Sequence, residues 1–482
     1  MIQSNYKLFL LIKSFSDSEI KELKKFISSP VYASRKNYNQ FLDEIVRFNR
    51  KKLQSIPYSE FYSKLYPGKK FSAQTIKNRF SELFRLCEEF VVYNSLKSNI
   101  SEKDKILLKY YLDNKLYRLF ESKYQKSKRM VESMQDNEDK FREMSFLNKI
   151  NLSLLNTKSK LTDMYRQFND ASTYTTCIAL IDIFHFGIEL KLQEYDNYRH
   201  KFSFVEELLK HLHLEEFINK VKGSDSHITG VVCMLYYLYK AYENPEKENF
   251  YFESRKFMES KINFFSEDYK NEIYKLMISY CIIRQNEGKK EYQLELFKIY
   301  NEKLAQGLYS EFRINMFPVN TFRDYVYIGI VIGKLKWVRN FIKKYSPELP
   351  EELRDDEVNL SNGKLEFSER HFELSLSHLN KVKGTNYLHY YDSSVLKLCC
   401  FFELGKYEES YFQIDKLRHY MRNHAEIPRV HRLPVNNFIR IYQKLLNYTV
   451  KPGKSDIGYL REEIYSMKFL SKRNWFLGKV SD

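Results

Sequence analysis

The sequence predicts an all-α fold in which a helical N-terminal module precedes an α-solenoid of helical hairpins. Three observations support this prediction. The chain has 482 residues but only 14 glycines and 10 prolines, well below the roughly 12% that these turn-forming residues usually contribute. Amphipathic stretches with apolar residues at helical spacing recur along the chain. Strand-like alternation never persists beyond a few residues, so no sheet is expected.

The first hundred residues have the pattern of a compact helical module. Ser16 and Glu19 are spaced as a capping box, which predicts a helix that ends near Ser29 and Pro30. A second helix is expected from about Arg35, with apolar residues on one face. The stretch from residue 94 to residue 104 is the best early boundary between domains.

A short helix, a turn and a long helix complete this module. The short helix is predicted over residues 58–65 and stops at Pro67 and Gly68, and Ser72 caps the long helix. This order is similar to a helix-turn-helix DNA reader. However, residues 91–96 continue the helical pattern where a winged-helix protein would begin its β-wing.

Amphipathic helices with polar joints follow from about residue 105. The predicted helices span residues 105–134, 139–158, 173–194, 204–214, 229–242 and 271–286. The domain prediction is therefore a basic module over 1–100, irregular hairpins over 105–320, and regular repeats with C-terminal capping helices over 321–482.

A repeat of 35 residues is visible in the last third of the chain. Trp337, Phe372 and Tyr407 are equally spaced. A short side chain follows three positions after each aromatic residue: Asn340, Ser375 and Ser410. A period near 34 residues is typical of stacked helical hairpins.

This segment resembles tetratricopeptide repeats. Gly405, Tyr407 and Ser410 match the turn glycine, the turn aromatic residue and the small residue of the second helix, and Gly363 falls where a first-helix glycine is usual. The resemblance implies that the first helix of each hairpin lines a concave binding groove. The groove candidates are Tyr325, Leu360, Lys364, Phe367, Val395 and Phe402. Alternatively, these aromatic and aliphatic side chains only pack neighbouring hairpins together.

The whole chain is also similar to a helical family widespread in Bacteroidota. The residues that carry this second resemblance are Leu8 to Ser14, the Ser29-Pro30 step and the turn from Tyr66 to Lys69. The resemblance implies architecture and no chemistry.

No motif in the sequence indicates catalysis. His211 and His213 point apart on a helix, and His371 and His378 lack further ligands nearby in sequence. Phosphate-binding glycine loops and a nucleophile elbow are also missing from the sequence. We therefore expect no enzyme, no cofactor, no metal and no small-molecule substrate.

The net charge of +17 leaves a second interpretation open. Residues 1–100 contain 18 Lys and Arg residues against nine acidic residues, and a basic surface attracts phosphate backbones. The nucleic-acid-binding candidates are Lys69, Lys70, Lys77, Arg79 and Arg85. Alternatively, the excess of basic residues reflects only the compositional drift expected of an AT-rich genome.

The expected compartment is the cytoplasm. Apolar stretches are too short for a bilayer span or a signal peptide, and the six scattered cysteines suggest buried, reduced thiols. The sequence therefore predicts a non-enzymatic scaffold or adaptor that binds a protein or peptide and does not bind membranes. The alternative is a nucleic-acid-binding protein that acts through its basic N-terminal module, as a DNA regulator or in association with RNA or the ribosome.

Overall fold

The all-α prediction is confirmed. The structure, a computed structural model, describes residues 2–3, 6–32, 38–51, 55–158, 161–196, 198–224, 226–309, 316–384, 386–424, 426–450 and 457–480. Within these residues the chain forms 24 α-helices, two short 3-10 helices and one pair of two-residue strands. None of the described helices is long and apolar enough to span a lipid bilayer.

The chain divides into two compact units, Met1–Asp182 and Ile183–Asp482. The division does not coincide with the predicted boundaries near residues 100 and 320. The helices of the first unit are α1 Lys7–Ser14, α2 Asp17–Ser28, α3 Asn39–Arg50, α4 Tyr58–Leu65, α5 Ala73–Ser98, α6 Ile100–Asp113, α7 Tyr117–Glu132 and α8 Glu138–Thr157, and α9 Leu161–Tyr195 extends past its end.

The second unit contains fifteen further helices among the described residues. The first eight are α10 Phe204–His211, α11 Glu215–Val221, α12 His227–Glu243, α13 Asn249–Lys261, α14 Glu267–Asn286, α15 Glu291–Ala305, α16 Val319–Val331 and α17 Leu335–Tyr345. The others are α18 Glu351–Ser368, α19 Phe372–Leu379, α20 Tyr387–Glu403, α21 Tyr407–Asn423, α22 Arg429–Val450, α23 Ile457–Ser466 and α24 Arg473–Lys479. The 3-10 helices Ile262–Phe264 and Ser346–Glu348 follow α13 and α17.

Helices α1 to α5 surround one hydrophobic core that extends from Leu8 to Phe90. Phe9 lies in it, 5.0 Å from Phe48 and 5.6 Å from Phe80 between ring centroids. The predicted capping box is confirmed, because the Ser16 hydroxyl accepts from the Glu19 backbone N–H and the Glu19 carboxylate accepts from that of Ser16 at 2.8 Å. The predicted start of the next helix near Arg35 lies outside the described residues.

A small strand pair departs from the prediction that the chain lacks any sheet. Strand β1 (Ile2–Gln3) pairs antiparallel with β2 (Ser55–Ile56), so that Ile2 lies opposite Ile56. Two residues per strand are too few to produce the alternation that the sequence analysis looked for. The pairing joins the start of the chain to the segment before α4.

The predicted helix over residues 105–134 is in fact two helices, α6 and α7. Lys115 adopts a positive φ of 58° between them. The backbone N–H groups of Lys115 and Leu116 donate to the carbonyls of Leu112 and Tyr111, which is the Schellman arrangement that ends a helix. No glycine or proline marks this turn, so helical periodicity alone did not predict it.

Consecutive helices of the second unit pack as hairpins. Helices α12 and α13, α14 and α15, α16 and α17, α18 and α19, and α20 and α21 form pairs. The first helices of successive hairpins also contact each other, since α16 packs on α18, α18 on α20 and α20 on α22. Contacts limited to neighbours in sequence are those of an α-solenoid.

A repeated turn sets the register of the last hairpins. Gly333, Arg370 and Gly405 have positive φ values of 75°, 65° and 68°, and each lies two residues before the first residue of α17, α19 or α21. The intervals are therefore 37 and 35 residues. The predicted match of Trp337 with Phe372 is two residues out of register, because Leu335 is the residue that begins α17.

The same shift applies to the predicted short residues. Val338, Ser375 and Ser410 occupy equivalent positions in the second helices, and all three are fully buried. Asn340, which the sequence spacing predicted instead, is exposed. The Ser375 hydroxyl donates to the Gly363 carbonyl at 2.8 Å, and that of Ser410 hydrogen-bonds with the Tyr442 hydroxyl at 2.9 Å. The small residues thus allow close helix contacts, as expected.

Candidate functional site

Three of the six groove candidates lie in the hydrophobic core. Tyr325 and Leu360 are fully buried and Val395 is 5% exposed. The Tyr325 ring stacks on Tyr300 at 4.4 Å and on Phe341 at 5.3 Å. Side chains with 5% or less of their surface exposed offer almost nothing to a partner, so these three residues pack hairpins together and are not included in the candidate site.

Phe402, a fourth groove candidate, is covered by the end of the chain. Its ring lies 5.5 Å from the Trp475 ring of α24 and 6.1 Å from that of Tyr442. The Trp475 indole N–H donates to the Glu403 carboxylate at 2.7 Å, and Lys479 makes an ion pair with the same carboxylate. Helix α24 therefore occupies the surface around Phe402 as part of the C-terminal core.

Lys364 and Phe367, the remaining two candidates, do reach the surface. The Lys364 ammonium lies 2.9 Å from the Asp392 carboxylate, and these side chains are 26% and 46% exposed. The half-buried Phe367 ring faces the Lys472 ammonium at 5.9 Å. We call the surface formed by Lys364, Phe367 and Asp392 the α18–α20 face.

Positive charges keep Asp392 ionised on this face. The surrounding protein opposes the charge of the carboxylate, but attraction to Lys364, with further contributions from Arg323 and Lys472, outweighs this effect. The pKa of Asp392 is consequently lowered. The face therefore presents both signs of charge beside an aromatic ring.

A buried ionic network connects the helices that carry the α18–α20 face. The Glu357 carboxylate accepts hydrogen bonds from Arg323 Nε at 2.6 Å and from Ser361 Oγ at 3.3 Å, and lies 2.9 Å from His389 Nε2. Glu357 and His389 are fully buried. The network joins α16, α18 and α20, the first helices of three successive hairpins. No motif in the sequence predicts this network, because its members lie on different helices, about 32 to 34 residues apart.

The N-terminal basic candidates fall into two groups. Lys69, Lys70, Lys77 and Arg85 are exposed. Arg79 instead donates hydrogen bonds to the hydroxyls of Tyr66 and Tyr38, both at 3.1 Å, so it is engaged within the module. Helix α5 continues to Ser98 without a β-wing after residue 90, as the pattern of residues 91–96 predicted.

One side-chain cluster has the composition of a metal site. Glu366, Glu369 and His371 bring three potential ligand atoms together. However, the Arg339 guanidinium contacts both carboxylates, with a distance of 2.8 Å to Glu366, and His371 Nδ1 lies 2.9 Å from Glu366. An arginine in the position of the cation neutralises the carboxylates, so the cluster is an ionic contact between α17 and the end of α18.

A pocket between α20 and α21 was missed by the sequence analysis. Its volume is about 570 Å³, and Lys397 and Lys416 are among its lining residues. Neither lysine belongs to a motif, because they lie on different helices.

Comparisons with protein-family models, curated proteins and solved structures found no match to this chain.

Proposed function

We propose that this protein is a non-enzymatic, tetratricopeptide-like scaffold that binds a protein or peptide partner on the α18–α20 face. The observation that supports the proposal is the partly exposed Lys364–Asp392 ion pair beside the half-buried ring of Phe367. Stacked hairpins present an extended surface suited to a long, narrow ligand. An aromatic ring next to charges of both signs fits a helix or an extended peptide.

The chemistry of the cysteines supports a cytoplasmic location for this scaffold. All six are free and buried, as the sequence predicted. Burial raises the pKa of Cys87 to about 12 and that of Cys400 to about 11, so these thiols stay protonated and unreactive at neutral pH. Free thiols persist in a reducing compartment.

A quantitative pull-down with the full-length tagged chain tests the proposed face. The extract comes from cells that naturally produce the protein and is treated with nuclease, so that nucleic-acid bridges are removed. The test variants are Lys364→Glu and Phe367→Leu, the second of which keeps apolar bulk while removing the ring. Lys109→Glu, at an exposed position on α6, is the control for the charge change.

A charge-swapped variant separates binding from folding. Lys364→Glu combined with Asp392→Lys preserves an ion pair between α18 and α20 but exchanges the two charges. We expect one captured protein to be lost with Lys364→Glu, Phe367→Leu and the swap, and retained with Lys109→Glu. A partner that all variants capture equally would contradict binding at this face, provided that circular dichroism shows each variant folded.

The basic surface of the N-terminal module supports a second candidate function, which is nucleic-acid binding. Lys70 and Lys77 are exposed and form no ion pair within the described residues. Lys70 lies in the connection that links α4 to α5, and Lys77 lies in the first turns of α5, which is the second helix in the order of a helix-turn-helix reader. The dependence of nucleic-acid affinity on salt concentration tests this alternative.

A further inference from the structure

We propose that the pocket between α20 and α21 binds a phosphate group, either as inorganic phosphate or as part of a phosphate monoester. The pocket has a volume of about 570 Å³, within the roughly 300–1,000 Å³ of typical small-molecule sites. Side chains of α20 and α21 line it, together with Val382 and Lys383 of the connection before α20. This proposal is independent of the α18–α20 face and assigns a ligand, not a reaction.

The lining of the pocket is strongly cationic. Lys383, Lys397 and Lys416 contribute three ammonium groups against the single carboxylate of Asp415 in the lining. Two histidines also line the pocket, and Nδ1 of one of them, His424, lies 2.8 Å from the Glu426 carboxylate. Such a surplus of positive charge attracts an anion into a confined site.

Two of these lysines lack a neutralising partner. Within the described residues, neither Lys397 nor Lys416 has a carboxylate within ion-pair distance, whereas Lys383 reaches Asp355 at 4.0 Å. Lys416 instead lies over the Phe412 ring at 4.4 Å. An anion placed between the two ammonium groups would supply the missing charge.

The lowered pKa of Lys397 supports the proposal of an anion site in this pocket. Burial of this half-buried side chain disfavours its charge, and Lys416 repels it, so the pKa of Lys397 is lowered. Without a ligand, the charged ammonium therefore destabilises the folded protein. A side chain that lowers stability while lining a pocket is typical of a binding site, because sites retain groups that a ligand satisfies.

The aromatic side chains suggest where an organic part of the ligand would lie. The Phe412 ring is 62% exposed at the pocket, and Tyr390 stacks on Tyr420 at 3.8 Å in its wall. Lys416 lies over one face of the Phe412 ring, and Tyr420 lies between Tyr390 and His424. The exposed surface of Phe412 is therefore the part of the lining that we expect to contact a planar base or a sugar. The phosphate is the shared chemistry, and it can come from inorganic phosphate or from a nucleoside monophosphate.

Isothermal titration calorimetry of the full chain tests the site with three probes: inorganic phosphate, adenosine monophosphate and adenosine. The test variant is Lys397→Met combined with Lys416→Met, which keeps the unbranched stems and removes the charges. The matched control is Lys109→Met combined with Lys126→Met, two exposed lysines of α6 and α7. Thermal unfolding of every variant is recorded alongside.

We expect phosphate and adenosine monophosphate to bind the wild type and the control. The test variant should bind at least ~10-fold more weakly, since a hydrogen bond to a charged group contributes roughly one factor of ten or more. Its melting temperature should equal or exceed that of the wild type because an unpaired charge has been removed. Tighter binding of the monophosphate than of phosphate would add a contact to the aromatic rings.

Three results would overturn the assignment. The first is no binding of either anion at up to ~10 mM, a concentration that detects even millimolar affinity. The second is adenosine binding as tightly as its monophosphate, which would show that the phosphate is not recognised. The third is unchanged phosphate affinity in the test variant, which would place the anion elsewhere on this basic chain.

Discussion

At the scale of single residues, the fully buried Glu357 is a position whose charge stabilises the fold. Burial opposes its charge, but the hydrogen bond with His389 and the attraction of Arg323 and Lys364 outweigh burial, so the pKa of Glu357 is lowered. A lowered folded-state pKa means that the carboxylate stabilises the fold above the ordinary glutamate pKa of about 4.3. This stabilisation is lost as the pH falls through the folded-state value.

We therefore predict that Glu357→Gln destabilises the protein by about 3–5 kcal/mol at neutral pH, the usual effect of removing one member of a buried ion pair. The difference from wild type should begin to shrink near pH ~4.3, where the glutamate of the unfolded chain takes up a proton, and should vanish as the pH falls through the lower folded-state pKa. Chemical denaturation of both proteins between neutral and acidic pH measures this dependence.

Glu352→Gln is the matched control, because Glu352 is exposed on the same helix. It should change the free energy of unfolding by no more than about 0.5 kcal/mol. A penalty for Glu357→Gln that stays constant down to the lowest pH would show that packing, and not charge, makes this position sensitive.

Residue burial also explains why the groove prediction was only partly useful. Helical periodicity identifies the apolar face of a helix, but Tyr325, Leu360 and Val395 share that face with residues that line a groove. Whether such a side chain is covered depends on how closely the next hairpin approaches. The charged Lys364 stayed at the surface because burying an ammonium is costly.

At the scale of elements, the turns before α17, α19 and α21 offer an internal comparison. Gly333 and Gly405 use glycine for a positive φ, whereas Arg370 adopts the same conformation with a side chain. The left-handed conformation costs a non-glycine residue about 1 kcal/mol, and glycine's greater freedom in the unfolded chain offsets part of this.

We predict that Arg370→Gly raises the free energy of unfolding by a few tenths to about 1 kcal/mol. Gly405→Ala should lower it by about 1 kcal/mol for the same reason. A Cβ at Gly405 would meet no atom within 4 Å, so backbone conformation alone would cause the loss. Equilibrium denaturation measures both changes, and a destabilising Arg370→Gly would mean that the exposed arginine makes a stabilising contact of its own.

Element boundaries were predictable wherever side chains mark them. Ser16 and Ser72 cap the helices that they were expected to cap, and the helix over Tyr58–Leu65 has the predicted limits. The turn at Lys115 was missed because a lysine in the left-handed conformation leaves no trace in the sequence. The register of Trp337 was wrong because the first interval is 37 residues, not 35.

At the scale of the whole molecule, the domain boundary predicted between residues 94 and 104 is the joint between helices α5 and α6. Asn99 ends α5 and also caps α6, since its side chain accepts from the Glu102 backbone N–H at 3.1 Å. Polar residues are needed at such a joint whether or not the hydrophobic core changes. The division into compact units falls instead at residue 182, within the 35-residue helix α9, where no composition change marks it.

The net charge of +17 is a second property of the whole molecule. The salt dependence of nucleic-acid affinity shows whether this charge serves nucleic-acid binding. Under the proposed scaffold function, we expect duplex DNA and structured RNA to bind more weakly than the ~10⁻⁴–10⁻⁶ M of non-specific contacts at physiological salt. If the N-terminal module did bind nucleic acid, log affinity would fall linearly with log salt, by about 0.9 per phosphate contact on duplex DNA. Fluorescence anisotropy across a salt series distinguishes the two cases.

The decisive variant changes Lys69, Lys70, Lys77 and Arg85 to Glu and keeps Arg79, because the hydrogen bonds of Arg79 to Tyr66 and Tyr38 hold the module together. The four changed side chains are exposed, so the fold should be retained. Tight binding by the wild type that this variant loses, together with a shallower salt slope, would establish the nucleic-acid function. If the wild type binds nucleic acid no more tightly than non-specific contacts do, and the variant captures the same protein partner as the wild type, the basic module is dispensable for both kinds of binding.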